Sequence, residues 1–297
     1  MRFSDFVHVI NPNSEKRSAV QKFFKKQPEL QTIFVERTSH PKHLETVIEW
    51  AVNEGHLKIA VWGGDGTLNR VVQQLHDMKA LDRVVIALIP VGTCNDFARA
   101  LHTPAWKRYL EVCVLNDAVE SLFDVGLLTY ASVDGTKRRV FVNNAGFGRE
   151  ASALRQHRSS ALSDIFSFSP KRVDLDWSLN GTHSFETRDA LLGVICNGAY
   201  FSKGLRFNDQ PTPSDGLLDI FLESPQSPFR LLLSFATAKL GSPLQSSKTA
   251  HIQANELSLQ ASSLLYLQAD GEPVESRGSN KLTFKNLPSV LRMAQWS

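Results

Sequence analysis

The sequence predicts two domains: an α/β domain built on a parallel sheet, followed by a mostly antiparallel β-sandwich domain. Three observations predict this. Over the first third of the chain, short β-branched runs alternate with stretches of helical period, the pattern of a parallel sheet covered on both faces. From about Phe123 the texture changes to short strand-like pieces with sparse helical signal. The chain has 297 residues, of which 42% are hydrophobic, enough to bury two ordinary cores. The expected division is 1–122 and 123–297, with the last residues as candidates to return to the first domain.

In the first domain, Phe6–Ile10, Thr32–Val35, Lys58–Trp62 and Val84–Ile89 have the length and β-branched content of buried strands. Between them, Ala19, Phe23 and Phe24 recur at near-helical spacing. So do Leu44, Val47, Ile48 and Ala51, and then Leu68, Val71, Val72 and Leu75. Such sheets bind ligands beyond the carboxyl ends of their strands, so the loops after Ile10, Val35, Trp62 and Ile89 are where chemistry is expected. In the second domain the strand-like pieces are Arg139–Asn143, Ala190–Cys196, Leu217–Leu222, His251–Leu259, Leu264–Gln268 and Lys281–Phe284. Helices are expected near Glu150–Asp164 and Phe229–Leu240, and a turn or short linker at Ser224–Pro228.

Composition excludes several classes. A formal net charge of +3 from nearly balanced acidic and basic totals gives no nucleic-acid footprint. No stretch approaches the roughly 20 apolar residues needed to span a bilayer. The short apolar run Phe6–Ile10 is not a signal-peptide core. A cytoplasmic protein is expected, with any membrane contact peripheral to the inner face. Cys94, Cys113 and Cys196 are far apart, which fits free thiols and offers no zinc spacing. None of the nine histidines forms a metal-like pair.

The strongest local signal is Gly63-Gly64-Asp65-Gly66-Thr67-Leu68-Asn69, between a buried strand and an amphipathic helix. Glycines let backbone approach a phosphate, and a helix N-terminus supplies N–H groups and a favourable dipole. A carboxylate there, Asp65, makes sense chiefly as a ligand for the Mg²⁺ that accompanies ATP. A tight turn with Asp65 or Thr67 capping the helix fits the same residues. The second signal is Ile89-Pro90-Val91-Gly92-Thr93-Cys94-Asn95-Asp96-Phe97-Ala98-Arg99, again after a strand and opening a helix. Loops on consecutive parallel strands lie side by side. Thr93 can donate to a phosphate, while Asn95 and Asp96 can cap the helix or reach nucleotide and metal. A further loop, Asn11-Pro12-Asn13-Ser14, ends the first strand, and Thr38 follows the second.

Together, Gly-Gly-Asp-Gly-Thr and Pro-x-Gly-Thr-x-Asn-Asp-Phe-Ala-Arg resemble the signature of the diacylglycerol kinase catalytic-domain family. That family includes bacterial lipid kinases and sphingosine kinases and is distantly similar to NAD kinases. The resemblance extends to Phe123-Asp124-Val125-Gly126, to Asp215-Gly216-Leu217-Leu218-Asp219 and to Asp270-Gly271-Glu272. It implies an NAD kinase/diacylglycerol kinase-like fold and transfer of the γ-phosphate of ATP to the hydroxyl of diacylglycerol or a related lipid alcohol. Glu272 would act as general base, and Asp65, Asp96 and Asp124 would hold the catalytic Mg²⁺. The nucleotide would bind at Asn11, Asn13, Thr38, Gly63, Gly64, Asp65, Gly66, Thr67, Leu68, Asn69, Arg70, Thr93 and Asn95. A second metal site would use the Asp215 side chain with the backbone carbonyls of Thr212 and Leu217. The implied partner is a lipid substrate at a membrane surface, with no nucleic acid; a homodimer stays open.

The chain departs from the family pattern at Glu15, Arg70, Lys203 and Ser214. Arg70 stands where Glu is common and either contacts phosphate or faces solvent. Ser214 replaces an acidic neighbour of Asp215. By itself, Asp270-Gly271 reads as a hairpin turn with Glu272 solvated on its rim. Cys94 sits beside the expected phosphate site, as a reactive thiol or a small space-filler. A kinase of a soluble acceptor, as in NAD kinases, and a non-catalytic nucleotide or lipid sensor are the rival readings.

Overall fold

The computed structural model describes residues 1–11, 16–28, 30, 32–34, 43–132, 134–148, 173–190, 192–201, 204–206, 212–223 and 249–296. The helices expected at Glu150–Asp164 and Phe229–Leu240 lie outside them. The chain divides into two compact units, Met1–Phe123 with Ser289–Ser297, and Asp124–Pro288.

The first unit runs β1 (Val7–Ile10), α1 (Arg17–Phe24), β2 (Thr32–Phe34), α2 (His43–Asn53), β3 (Lys58–Gly63), α3 (Asp65–Asp77), β4 (Val85–Pro90), α4 (Asp96–Ala100) and α5 (Trp106–Leu115). β1 pairs in parallel with both β2 and β3, and β3 pairs in parallel with β4. The order β2-β1-β3-β4 reverses direction between β1 and β3, which makes that pair the switch point beyond whose carboxyl ends a ligand crevice forms. Side-chain alternation divides the sheet's two faces. Ala60, Trp62, Val85, Ala87 and Ile89 join Val20 and Phe24 of α1 and Tyr109, Leu110 and Cys113 of α5 in one core cluster. Ile59, Val61, Ile86 and Leu88 are buried on the other face, the side left for the apolar stripes of α2 and α3. α5 is absent from the sequence expectations: the β-branched and apolar run Val112–Leu115 has the texture of a strand, and only Tyr109, Leu110 and Cys113 are buried.

The last strand of the chain completes this sheet, with Met293 beside Ile86 in parallel register. Arg292 fixes it with a two-pronged ion pair to Glu120 (2.7 and 3.0 Å) and a hydrogen bond to the Asp82 carbonyl. The indole N–H of Trp296 donates to the Asn116 carbonyl.

The second unit begins within β5 (Val119–Ser132), which forms a hairpin with β6 (Gly135–Phe141). It continues through β7 (Asn144–Gly148), β8 (Val173–Leu179), β9 (His183–Ala190), β10 (Leu192–Cys196), a small ribbon of β11 (Tyr200–Phe201) and β12 (Leu205–Arg206), β13 (Leu218–Glu223), β14 (Thr249–Ala254), β15 (Glu256–Ala269) and β16 (Glu272–Gln295). β14, β13, β10, β7, β15 and β16 are successive antiparallel neighbours, and the long β15 also takes β8 at its first half, with β9 beyond. Inward residues of these strands, among them Phe141, Phe147, Leu175, Trp177, Ile195, Ile220, Leu257, Leu267 and Phe284, form one core. β15 turns into β16 through Asp270 and Gly271, both left-handed (φ 49° and 80°), with Ala269 opposite Glu272. Two left-handed residues make the two-residue hairpin whose twist matches the strands.

The buried His8 lies inside the first core. It accepts at Nδ1 from the Trp62 indole (3.1 Å) and donates from Nε2 to the Phe3 carbonyl (3.3 Å), so the proton sits on Nε2 and the ring is neutral. Packed edge-on by Phe3 and Phe24, it has no acceptor for a second proton, and burial pushes its pKa down to about 4. The unfolded chain therefore binds a proton that the native state refuses between about pH 6.5 and pH 4, and stability falls as pH drops through that window. Denaturant titrations at pH 7.5 and pH 5 should differ by about 2 kcal/mol from this group. The difference should disappear in His8→Gln; an equal difference in the variant would remove His8 as its source.

Candidate active site

At the switch point, two glycine loops lie against each other. An ideal Cβ on Gly92 would stand 2.3 Å from the Gly64 Cα, and one on Gly63 would overlap Thr67 at 2.4 Å. Only glycine permits these approaches. The β1 end joins them: the Asn11 N–H donates to the Trp62 carbonyl (3.1 Å), and Asn11 Nδ2 donates to the buried Thr67 hydroxyl (2.8 Å). α3 starts from Gly64 with no side-chain cap, and its first-turn N–H groups and dipole form a site suited to a phosphate.

Asp65 does something other than cap its own helix. Its two carboxylate oxygens accept the N–H groups of Asp96 and Phe97, each at 2.9 Å, so it caps α4 from the neighbouring loop. Asn95, left-handed at φ 53°, donates from Nδ2 to the carbonyls of Gly92 (2.8 Å) and Pro90 (3.3 Å), closing the loop on itself. Asp96 is buried, with Arg99 at 3.9 Å. Thr93 is exposed at the loop tip and Cys94 half-buried, whereas Cys113 and Cys196 are buried. Burial pushes the Cys113 thiol up to about 12. Lys16, which the sequence reading overlooked, reaches the Gly92 carbonyl with Nζ (3.3 Å).

In the second unit, Asp124 is 1% exposed. Its Oδ2 accepts from the Gly216 N–H (2.7 Å) and from Asn286 Nδ2 (3.3 Å). Asn197 donates from Nδ2 to the carbonyls of Asp124 and Val142, both at 3.0 Å. Asn197 and Asn286 carried no motif in the sequence, and only their burial in a strand-to-strand turn and at the β15–β16 pair marks them. Glu272 is exposed at the first position of β16.

Several of the candidate residues have partners within the fold. The half-buried Arg70 guanidinium grips Glu45 of α2 by two hydrogen bonds, 2.9 and 2.8 Å, because the helix period brings it over α2. The oxygens of the expected second metal site are engaged in a turn. Asp215 accepts from the Leu217 N–H and the Thr212 hydroxyl, both at 3.0 Å, the Thr212 carbonyl accepts from the Asp215 N–H, and the Leu217 carbonyl accepts from Asn286. Among the described residues no three His, Cys, Asp or Glu side chains converge as a metal site; Asp65 and Asp96 lie in the first unit and Asp124 opens the second. Leu68 and Asn69 are buried in α3, and Gly66 lies in its first turn. Asn13, Thr38, Glu15 and Lys203 lie outside the described residues.

A parallel sheet with paired glycine loops at its switch point, in one chain with an antiparallel β-sandwich, is the fold of the NAD kinase and diacylglycerol kinase class. Solved structures bear this out. A diacylglycerol kinase from Bacillus anthracis superposes with a TM-score of 0.72 at 20% identity, covering 99% of this chain and 97% of that one. Yeast NADH kinase gives 0.57 at 13% identity, covering 97% and 82%. Residues 5–127 match the diacylglycerol kinase catalytic domain and residues 129–295 the YegS C-terminal NAD kinase beta sandwich-like domain. The chain belongs to the diacylglycerol kinase catalytic-domain family and is a kinase. A relative from Serratia proteamaculans named "Probable lipid kinase YegS-like" is 28% identical over 275 residues, 89% of this chain and 85% of that protein. One of the same name from Pseudomonas aeruginosa is 29% identical over 258 residues, 83% and 79%.

Two outcomes check this geometry. Gly92→Ala drives a methyl group into the Gly64 backbone and should weaken ATP binding at least tenfold in calorimetry; binding within twofold of the parent would show that the loops need not touch. Arg70→Gln should leave the KM for ATP within twofold and cost about 1 kcal/mol or less in denaturant titration, the worth of a part-exposed ion pair. A large rise in KM would return Arg70 to the nucleotide.

Proposed function

We propose that this kinase transfers the γ-phosphate of ATP, supplied as its Mg²⁺ complex, to the hydroxyl of a lipid alcohol such as diacylglycerol. The observation that carries the reading is the pair of glycine loops after β3 and β4 held in contact beside the β1/β3 switch, with the uncapped start of α3 next to them. Phosphoryl transfer asks a protein mainly for positioning and charge neutralisation. The α3 N–H groups and the Lys16 ammonium are suited to the phosphates, and Asp65 and Asp96 border the same loop. Metal enters this reading with the nucleotide, since among the described residues no three carboxylate, His or Cys side chains converge as a metal site.

Glu272 serves as general base. Its carboxylate takes the proton of the acceptor hydroxyl as that oxygen bonds to the γ-phosphorus, and the bond from phosphorus to the β,γ-bridging oxygen breaks to release ADP. Its exposed place at the head of β16 suits a group that must meet a substrate arriving from outside. The relatives named as lipid kinases support a lipid acceptor. Such an acceptor requires peripheral contact with a membrane surface, and no described helix is long and apolar enough to cross one.

Transfer of labelled γ-phosphate to lipid alcohols in mixed micelles, with NAD and sugars alongside, tests the acceptor class: labelled lipid is expected, and label on soluble acceptors alone would overturn the reading. Glu272→Ala should lower turnover by roughly 10²- to 10⁴-fold, the range for a positioned acid–base group, with ATP binding retained. Unchanged turnover would remove Glu272 from the chemistry.

A further inference from the structure

The structure assigns Asp270 a positioning role: its carboxylate ties the turn that carries Glu272 to the 142–144 segment and, through that segment, to Asp124. A two-residue hairpin with left-handed φ at both positions closes by itself and asks nothing of its first side chain beyond tolerance of that conformation. Here the side chain does more. Asp270 Oδ2 accepts the N–H of Val142 (2.8 Å), and Oδ1 accepts those of Asn143 (2.8 Å) and Asn144 (3.0 Å). The Asp270 N–H returns a bond to the Asn144 carbonyl (2.8 Å). Three successive backbone donors converging on one carboxylate form a nest for a fixed negative charge.

The bonds continue in both directions. Towards Glu272, the Gly271 N–H donates to the buried Gln268 side chain (2.9 Å), which donates in turn to Asn144 Oδ1 (2.8 Å). Towards Asp124, the Asn143 carbonyl accepts the N–H groups of Asn197 (2.8 Å) and Gly198 (3.1 Å). The Asn197 side chain then spans the carbonyls of Val142 and Asp124. An exposed side chain at the tip of a β-hairpin would otherwise swing with the turn; this lattice fixes the backbone from which Glu272 projects relative to the backbone of Asp124. Asp270 itself touches no reacting atom. Asparagine keeps the shape but presents an NH₂ group to the Val142 N–H, donor against donor.

The inference rests on the reading of Glu272 as base, and a double-mutant cycle separates the two. Asp270→Asn should lower kcat on the order of tenfold to a hundredfold, as small misplacements of catalytic groups do. The KM for ATP should stay within twofold, and amide exchange should accelerate at Val142, Asn143 and Asn144. In a Glu272→Ala background the same substitution should change the residual rate less than twofold, because the group it positions is gone. Gly271→Ala is the second arm. Its Cβ meets nothing within 4 Å, so it strains only the turn at φ 80°, and it should show the same loss and the same disappearance of that loss. Multiplying losses in the double mutants, or parental kcat for Asp270→Asn, would overturn the positioning role. Parental turnover in Glu272→Ala alone would overturn the base and this inference together.

Discussion

The carboxylate of Asp65 holds the nucleotide side of this protein in shape. It arises from the strand-to-helix connection after β3, yet both its oxygens are bonded to the first amides of α4, which follows β4. α4 has only five residues and offers little stability of its own, since short helices depend on their caps and on tertiary packing. The carboxylate that appeared suited to a metal is thus the strut that brings the second glycine loop against the first. It acts together with the Val91 and Gly92 N–H groups, which donate to the Gly63 carbonyl (3.1 and 3.3 Å) and hold the loops together from the strand side.

The second unit solves a related problem with amides. Asn143, Asn144, Asn197, Gln268 and Asn286 are all nearly inaccessible to solvent, although burying polar groups is costly unless they are hydrogen-bonded. Each donates or accepts across strands that are far apart in sequence, and Asp124 and Asp270 supply the negative ends. The result is a polar lattice within an otherwise apolar sandwich, and such lattices confer a unique geometry more than net stability.

Much of the fold was legible in the sequence because period and loop chemistry agreed. The apolar stripes of α2 and α3 and the runs of β1, β3 and β4 each admit one assignment, and glycine at 63, 64 and 92 says that backbone must come close to something. The wiring of the side chains was not legible. Asp65 and Asp96 sit in motifs that read equally as caps or as metal ligands, and only coordinates show the cap reaching across to a different helix. The partner of Arg70 was hidden because Glu45 is separated from it by a strand and two loops. Asn197 and Asn286 stand in ordinary strand-edge sequence, and nothing short of the antiparallel pairing brings them to Asp124.

β16 leaves the Asp270-Gly271 turn in one unit and finishes beside β4 in the other. As the chain is synthesised, residues 1–123 emerge with β4 as an unpaired sheet edge, and Arg292 and Trp296 arrive only after the second unit. The first unit therefore cannot close its sheet until the second unit has been synthesised. A nascent or truncated chain lacking its final nine residues presents an open strand edge, the surface that chaperones shield and that aggregation exploits.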